Sequence, residues 1–132
     1  LEKLIPHEQI DSSNLSSVKN SIESDQVITT PIIVDEKSMM ILDGHHRYNA
    51  AKQMQLKSFP VVLVNYNSPD IIVLKKNESG EVVDKDSIIQ KALNNELLDY
   101  KSTYHGIKSK NGITKHISSI LKPINVPLKK LS

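Results

Sequence analysis

The stretch PIIVDEKSMMILDGHHRYNAAKQM, residues 31–54, contains in succession the signals of two strands and a helix. Two apolar runs between Ile32 and Leu42 flank the polar letters DEKS, a pattern that predicts a β-hairpin. Gly44 ends the second strand, and the residues from His45 onward are good helix formers. The stretch therefore predicts a hairpin that leads through a tight glycine turn into a helix.

Further elements are predicted on both sides of this unit. Apolar residues recur at helical spacing in DSSNLSSVKNSIESD, residues 11–25, and its first three residues are candidate N-caps. The run SFPVVLVNY is rich in β-branched residues and predicts a buried strand, and DIIVLKK predicts another. The first 75 residues are therefore predicted to form a mixed α/β unit.

The remaining residues have a different pattern. DKDSIIQKALNNELL, residues 84–98, predicts a helix, and ITKHISSILKPI, residues 113–124, returns to helical spacing. The polar segment DYKSTYHGIKSKNG between them is typical of a loop. We therefore expect a core at residues 1–75 and a helical C-terminal extension at residues 76–132 that packs on it.

The composition excludes several classes of protein. The 132 residues are 38% hydrophobic and only 4% aromatic, which indicates a globular domain with an aliphatic core. There is no cysteine, so disulfides, thiolate zinc sites and a cysteine nucleophile are excluded. A net charge of +2 is too small to indicate a nucleic-acid partner by itself, and we do not expect one. With no membrane-length apolar run and no signal-peptide pattern, we expect a cytoplasmic protein without a membrane partner.

The letters DGHHR, Asp43 to Arg47, permit three chemical interpretations. A transition-metal site is disfavoured, because adjacent histidines on a helix point about 100° apart and helical zinc pairs usually stand four residues apart. A phosphate site fits better, because a helix start after glycine presents backbone N–H groups and its positive dipole end to an anion. Arg47 adds a planar fork of donors. The third interpretation is a solvated helix start.

The stretch from Pro31 to Met54 resembles the nucleotide-binding signature of the ParB/sulfiredoxin-like superfamily. Its usual form is a strand, Asp-Gly, a few polar residues with an arginine, and a helix that opens with alanines. Sulfiredoxin chemistry is excluded, because its catalytic cysteine is absent here. Chromosome-partition ParB proteins usually have Gly-Glu-Arg-Arg at this place, of which only Gly44 and Arg47 agree. They also continue into a second nucleotide motif and a helix-turn-helix, which this chain does not show.

A third branch, the free L-serine kinases, is similar to this chain at three separated places. These places are a His-Glu pair (His7 and Glu8), the letters DGHHR, and a Lys-Ser/Thr-Thr-x-His segment, here KSTYH at residues 101–105. The resemblance covers about residues 3–105. It implies a ParB/sulfiredoxin-like nucleotide-binding domain that makes O-phospho-L-serine from L-serine, with ATP or ADP as donor and Mg²⁺ as cofactor.

The resemblance also implies roles for individual residues. Glu8 is the implied general base. Asp43 would hold Mg²⁺ directly or through water, or orient the serine hydroxyl, although an Asp at this place also commonly caps the following helix. The residues implied to bind the nucleotide phosphates are Gly44, His45, His46 and Arg47, of which His45 is also a candidate to stabilise the transferring group. The residues implied to bind serine or a phosphate are Lys101, Thr103 and His105.

Other functions remain open at this point. A protein of the same fold could sense a nucleotide, or act with DNA, without catalysis. A kinase of this fold could also phosphorylate another small hydroxyl compound. The oligomeric state is left open.

Overall fold

The computed structural model describes residues 3–6, 9–75, 85–94, 103–108 and 114–131. Within these ranges the elements follow each other in the order α1 Ser12–Asp25, β1 Val27–Ile28, β2 Ile32–Asp35, β3 Ile41–Asp43, α2 His45–Gln53, β4 Val61–Val64, β5 Ile71–Lys75, α3 Lys85–Leu93, β6 Thr103–Lys108, β7 Thr114–His116 and β8 Val126–Pro127. Two short 3-10 helices occupy Ile117–Ile120 and Leu128–Lys130. The mixed α/β fold that the sequence predicts is confirmed.

The central sheet has the strand order β3-β2-β4. Strand β2 is antiparallel to β3, as the hairpin pattern predicts, and parallel to β4, with Ile32 opposite Val61. All four residues of β2 are buried, because this middle strand is covered on both faces. Strand β3 ends at Asp43, so the sheet delivers the chain directly to the glycine turn.

Two apolar clusters cover the two faces of the central sheet. Ile32, Val34 and Ile41 belong to a cluster that also contains residues of α1 and α2. Ile33, on the opposite face of β2, belongs to a second cluster with residues of β5 and α3, such as Ile88. Position 75 is the expected boundary between the core and the C-terminal extension. The second cluster and the β5–β6 pairing contain residues from both sides of it.

The first helix begins where the sequence predicts. Asp11 is the N-cap of α1, and its Oδ2 accepts a hydrogen bond from Asn14 N–H at 3.1 Å. Leu15 and Ile22 turn into the first cluster, and α1 packs against α2. The position of α1 therefore depends on its contacts with the helix that follows the glycine turn.

The structure differs from the sequence-based expectation in the C-terminal part. Residues 103–108 were expected to be loop but form β6, which pairs antiparallel with β5, and residues 114–116 form β7 instead of the start of a helix. Of the second predicted helix only a 3-10 turn at Ile117–Ile120 is present. The polar segment becomes a strand because β5, distant in sequence, offers its backbone groups for pairing. Within the described residues, α3 is therefore the only α-helix of the extension, and its other helical turns are the two short 3-10 helices.

Strand β4 was expected to be buried, and this expectation is wrong in part. Leu63 is 53% exposed, and the other three residues are only partly buried. In the described part of the chain β4 is the outer strand of its sheet, which leaves it less covered than β2.

No helix in the described ranges has the length and apolar character needed to cross a membrane.

Candidate nucleotide-binding site at the β3–α2 turn

A single glycine makes the change of direction between β3 and α2. Gly44 has φ +110°, in the positive region that side chains rarely adopt, and it is the N-cap of α2. A Cβ atom at this position would lie 3.0 Å from Ile32 Cγ1 and 3.0 Å from Arg47 Nη2. Both the backbone angle and the close neighbours therefore require glycine here.

Asp43 does not cap the helix, although the sequence leaves that role open. The N-cap residue of α2 is Gly44, which has no side chain to make a capping hydrogen bond. Instead Asp43 Oδ2 accepts a hydrogen bond from Arg47 Nη2 at 3.2 Å, and the two side chains are 24% and 22% exposed. The carboxylate is therefore held beside the guanidinium, one turn into the helix.

Arg47 is fixed across the turn by two acceptors. Its Nη2 also donates to the carbonyl oxygen of Pro31 at 3.1 Å, just before β2. Its Nε is buried and has no hydrogen-bond acceptor among the described residues. Because a buried donor without an acceptor is unfavourable, this N–H group is a candidate to donate a hydrogen bond to a ligand oxygen such as that of a phosphate.

The two histidines have different surroundings. His45 is only 8% exposed, and its backbone carbonyl accepts a hydrogen bond from Asn49 Nδ2 at 2.8 Å. His46 is partly buried, and its Nε2 accepts a hydrogen bond from the backbone N–H of Asp11 at 3.0 Å. His46 thus connects the glycine turn to the N-cap of α1.

A cavity of about 300 Å³ lies beside Arg47. Its lining combines hydroxyl side chains with apolar ones, and consists of Ser17, Val18, Ser21, Ile22, Ile28, Thr29, Thr30, Arg47 and Phe59. Such a mixture of apolar surface and a few polar groups is typical of small-molecule sites, whose volumes start at about 300 Å³. The cavity has one charged group, Arg47, and one of its walls is formed by α1.

The structure describes only part of the other sequence-predicted sites. Glu8 and Lys101 lie outside the described residues, and of Thr103 it describes only the backbone, in β6. His105 lies in β6, is 3% exposed, and its Nε2 is 3.2 Å from the hydroxyl of Tyr66. His105 is therefore in contact with a fully buried tyrosine.

Tyr66 belongs to a buried polar network that sequence reasoning missed. Its backbone N–H donates to Asp35 Oδ1, and its carbonyl oxygen accepts a hydrogen bond from Lys85 Nζ at 2.7 Å. Burial lowers the pKa of Lys85. Burial acts to raise the pKa of Asp35, but hydrogen bonds from Ser38, Tyr66 and Lys37 outweigh it, so that this pKa lies below its ordinary value.

Mg²⁺ is compatible with the carboxylate at the turn. No group of three or more acidic, histidine or cysteine side chains forms a metal site among the described residues. Mg²⁺ needs no such group when it is held by one or two carboxylates together with substrate phosphates and water. Asp43, beside Arg47 at the same turn, is the described residue that could serve as that carboxylate.

Sequence reasoning also missed the hydroxyl residues of the cavity. Ser17 and Ser21 are four residues apart on α1, so they share one face of the helix. Thr29 and Thr30 stand directly before the hairpin. The spacing of the two serines and the letters TTP before a strand were the available signals, but both look the same as ordinary solvated surface.

Comparison with known proteins gives three kinds of match. The family model described as the ParB N-terminal domain matches residues 2–79. A ParB-like protein of Sulfolobus acidocaldarius is 36% identical over 89 residues, which are 67% of this chain and 43% of that protein. A solved structure of a free serine kinase in complex with AMP superposes with a TM-score of 0.78 at 15% identity, and covers 99% of this chain and 91% of that one. That similarity concerns the fold alone.

Two further relatives are named as kinases. An ATP-dependent L-serine kinase of Staphylothermus marinus is 34% identical over 70 residues, 50% of this chain and 28% of that protein. An ADP-dependent L-serine kinase of Thermococcus kodakarensis is 29% identical over 94 residues, 64% of this chain and 39% of that protein. The chain therefore spans less than half the length of these curated relatives.

Proposed function

Because the chain belongs to the ParB N-terminal domain family, we propose that it uses this domain to bind an adenine nucleotide and to phosphorylate free L-serine. The observation that carries the proposal is Arg47. Its guanidinium lines the cavity at the start of α2, and its buried Nε lacks an acceptor among the described residues. The relatives named L-serine kinases, which match half or more of the chain, support the choice of reaction.

The nucleotide's phosphates are assigned to the glycine turn. The first intrahelical bond of α2 runs from Tyr48 N–H to Gly44 O at 2.9 Å, so the backbone N–H groups before Tyr48 lie in the first turn and take no part in the intrahelical hydrogen bonds. These donors and the helix dipole attract a phosphate, and Gly44 permits its close approach. A phosphate that displaces the Asp43 carboxylate from Arg47 would accept hydrogen bonds from the guanidinium. The nucleoside would then occupy the cavity between α1 and the threonines.

The chemical step is an in-line transfer. The serine Oγ attacks the terminal phosphorus of ATP or ADP, and the bond from that phosphorus to the bridging oxygen breaks. The proton of the serine hydroxyl passes to the carboxylate of Glu8, the base that the sequence resemblance implies. The products are O-phospho-L-serine and a nucleotide with one phosphate fewer. Arg47 lowers the barrier by stabilising negative charge on the phosphoryl oxygens.

Asp43 is the residue proposed to hold Mg²⁺, directly or through water, next to the phosphates. Bound Mg²⁺ supplies neutralisation of the phosphate charge. Asp43 also orients Arg47 through their 3.2 Å contact, so that the guanidinium faces the turn before a nucleotide arrives. His45 is proposed to assist at the transferring group. Lys101, Thr103 and His105 remain the residues proposed to hold serine.

The reaction can be tested with purified protein, Mg²⁺, L-serine and either ATP or ADP, followed by ³¹P NMR. We expect an O-phosphoserine signal that grows as the donor's terminal phosphate signal declines. Parallel reactions with L-threonine and D-serine test whether another hydroxyl compound is the substrate. If no phosphorylated amino acid forms with either donor while the protein binds nucleotide, the kinase proposal is wrong.

A second candidate is a nucleotide-sensing regulator that acts with DNA. The match to the ParB N-terminal domain, and to a protein named ParB-like, favours it. A regulator of this kind would bind nucleotide without turnover and shift DNA in a mobility assay at physiological salt, where weak nonspecific binding is suppressed. The kinase proposal predicts turnover and no such shift.

A further inference from the structure

We infer that His46 is a positioning residue, which holds α1 as one wall of the nucleotide cavity, and that it does not act as a phosphate ligand through Nε2. The inference rests on the proposed nucleotide site and refines it. Its basis is the 3.0 Å hydrogen bond from the backbone N–H of Asp11 to His46 Nε2, between residues that are 35 positions apart in sequence.

Asp11 connects the start of α1 to α2. Its carboxylate oxygen Oδ2 caps the helix by accepting from Asn14 N–H at 3.1 Å, and it also accepts from Ser13 Oγ at 2.7 Å. Its own N–H is bonded to His46. Asp11 is therefore fixed to the helix by its side chain and to α2 by its backbone, which makes the start of α1 follow the position of His46.

The hydrogen bond determines the protonation of the imidazole. A ring nitrogen that accepts a hydrogen bond carries no proton, so the neutral ring has its proton on Nδ1. While this bond exists, Nε2 cannot donate to a phosphate oxygen. His46 thus differs from Arg47, whose nitrogens are all donors.

The bond couples two parts of the lining of one cavity. Arg47, next to His46 in α2, forms the charged part of the lining, and Ser17 and Ser21 of α1 form the hydroxyl part. His46 ties the beginning of α1 to the turn from which Arg47 projects. Loss of the tie would loosen the wall that contacts the nucleoside and leave the phosphate-binding group in place.

The affinities for a nucleoside and for a nucleotide distinguish a His46 that positions α1 from a His46 that binds phosphate. Dissociation constants are measured by calorimetry for adenosine and for ADP with Mg²⁺. If His46 positions α1, His46→Ala weakens both ligands by the same factor, about three- to tenfold for one lost hydrogen bond. His46→Gln, which offers an amide oxygen as acceptor, restores both affinities. Arg47→Ala, by contrast, weakens ADP much more than adenosine, and Gln53→Ala on the exposed face of α2 changes neither.

A second measurement reports on the bond itself. Nitrogen-15 NMR of the His46 ring should show a proton on Nδ1 and none on Nε2, and hydrogen exchange of the Asp11 amide should accelerate in His46→Ala but not in Gln53→Ala. The inference is overturned if His46→Ala weakens ADP alone, or if Asp11 exchange is unchanged. Should the wild type bind neither adenosine nor ADP, the proposed function fails, whereas the exchange data still decide whether His46 holds α1.

Discussion

Arg47 Nη2 donates a hydrogen bond to Asp43 Oδ2 at 3.2 Å across the glycine turn, and both side chains are more than three-quarters buried. The pair stands four residues apart, with the acidic residue before the helix and the basic one inside its first turn. A bound phosphate would compete with the Asp43 carboxylate for the guanidinium. Nucleotide binding and the availability of Asp43 for Mg²⁺ are therefore linked in the proposed mechanism.

Asp43→Asn tests this link, because asparagine keeps an acceptor for Arg47 but loses the charge. We expect turnover to fall at least about 100-fold, since Mg²⁺ loses its carboxylate, while nucleotide affinity measured without Mg²⁺ stays the same or improves. Steady-state kinetics and calorimetry measure the two quantities. Asp70→Asn, at an exposed aspartate, is the matched control and should change neither. Normal turnover of Asp43→Asn would show that this carboxylate has no part in the reaction.

Ser21→Leu tests whether the cavity receives the nucleoside. A leucine side chain at this position would fill space beside Ser17 and Thr30, and we expect nucleotide affinity to fall about tenfold or more. Ser24→Leu introduces the same side chain on the same helix outside the cavity lining, and should leave the affinity unchanged. Equal affinities of the two variants would place the nucleoside elsewhere.

Gly44→Ala tests the backbone requirement of the turn. The positive φ of 110° and a Cβ only 3.0 Å from Ile32 Cγ1 should lower the free energy of unfolding. The loss is expected to be about 2–3 kcal/mol, because the positive φ is strained for a residue with a side chain and the fully buried Ile32 would have to shift. Urea unfolding measures it, with Gln53→Ala on the exposed face of α2 as the reference. An unchanged unfolding midpoint would mean that the turn tolerates a side chain.

The lowered pKa of Asp35 predicts how the free energy of unfolding depends on pH. Its pKa in the folded protein lies below the ordinary value of 3.8, so the folded state binds this proton less readily than the unfolded chain. The resulting stabilisation is complete above that ordinary value and is lost as the pH falls through the folded pKa. Asp35→Asn should cost about 1–3 kcal/mol at neutral pH and flatten the acid limb of the stability curve.

Urea unfolding between about pH 2 and pH 7 measures this effect. Glu36→Gln, at the exposed neighbouring residue, is the matched control and should keep the acid limb of the wild type. An acid limb that persists unchanged in Asp35→Asn would assign the dependence to other carboxyl groups.

Local patterns were sufficient to predict the elements around the turn. The hairpin, the break at Gly44 and the helix from His45 depend on neighbouring residues, and the structure has all three. The strand β6 was missed because its formation depends on pairing with β5, about thirty residues earlier in the chain. Polar composition alone made the same segment resemble a loop.

In the candidate site, too, the sequence predicted what depends on a residue's own chemistry and missed what depends on contacts between distant residues. Residue type was enough to identify Arg47 as a possible hydrogen-bond donor to phosphate, because this role depends only on the chemistry of the guanidinium. The partner of His46 is a backbone N–H 35 positions away, and nothing in the letters DGHHR indicates it. Ser17 and Ser21 line a cavity only because α1 packs against α2. Contacts of this kind follow from the packing of helices and are invisible in any short motif.

The rate of phosphoryl transfer in Arg47→Ala tests the central claim most directly, since the claim assigns the reaction to the β3–α2 turn. With saturating L-serine and donor, ³¹P NMR should show O-phosphoserine formation by the wild type at the expense of the donor. Lys52→Ala, which removes an exposed cation from the same helix, should retain the wild-type rate. Arg47→Ala should be slower by about 100-fold or more. Formation of O-phosphoserine by Arg47→Ala at the wild-type rate, or none by the wild type, would contradict the claim.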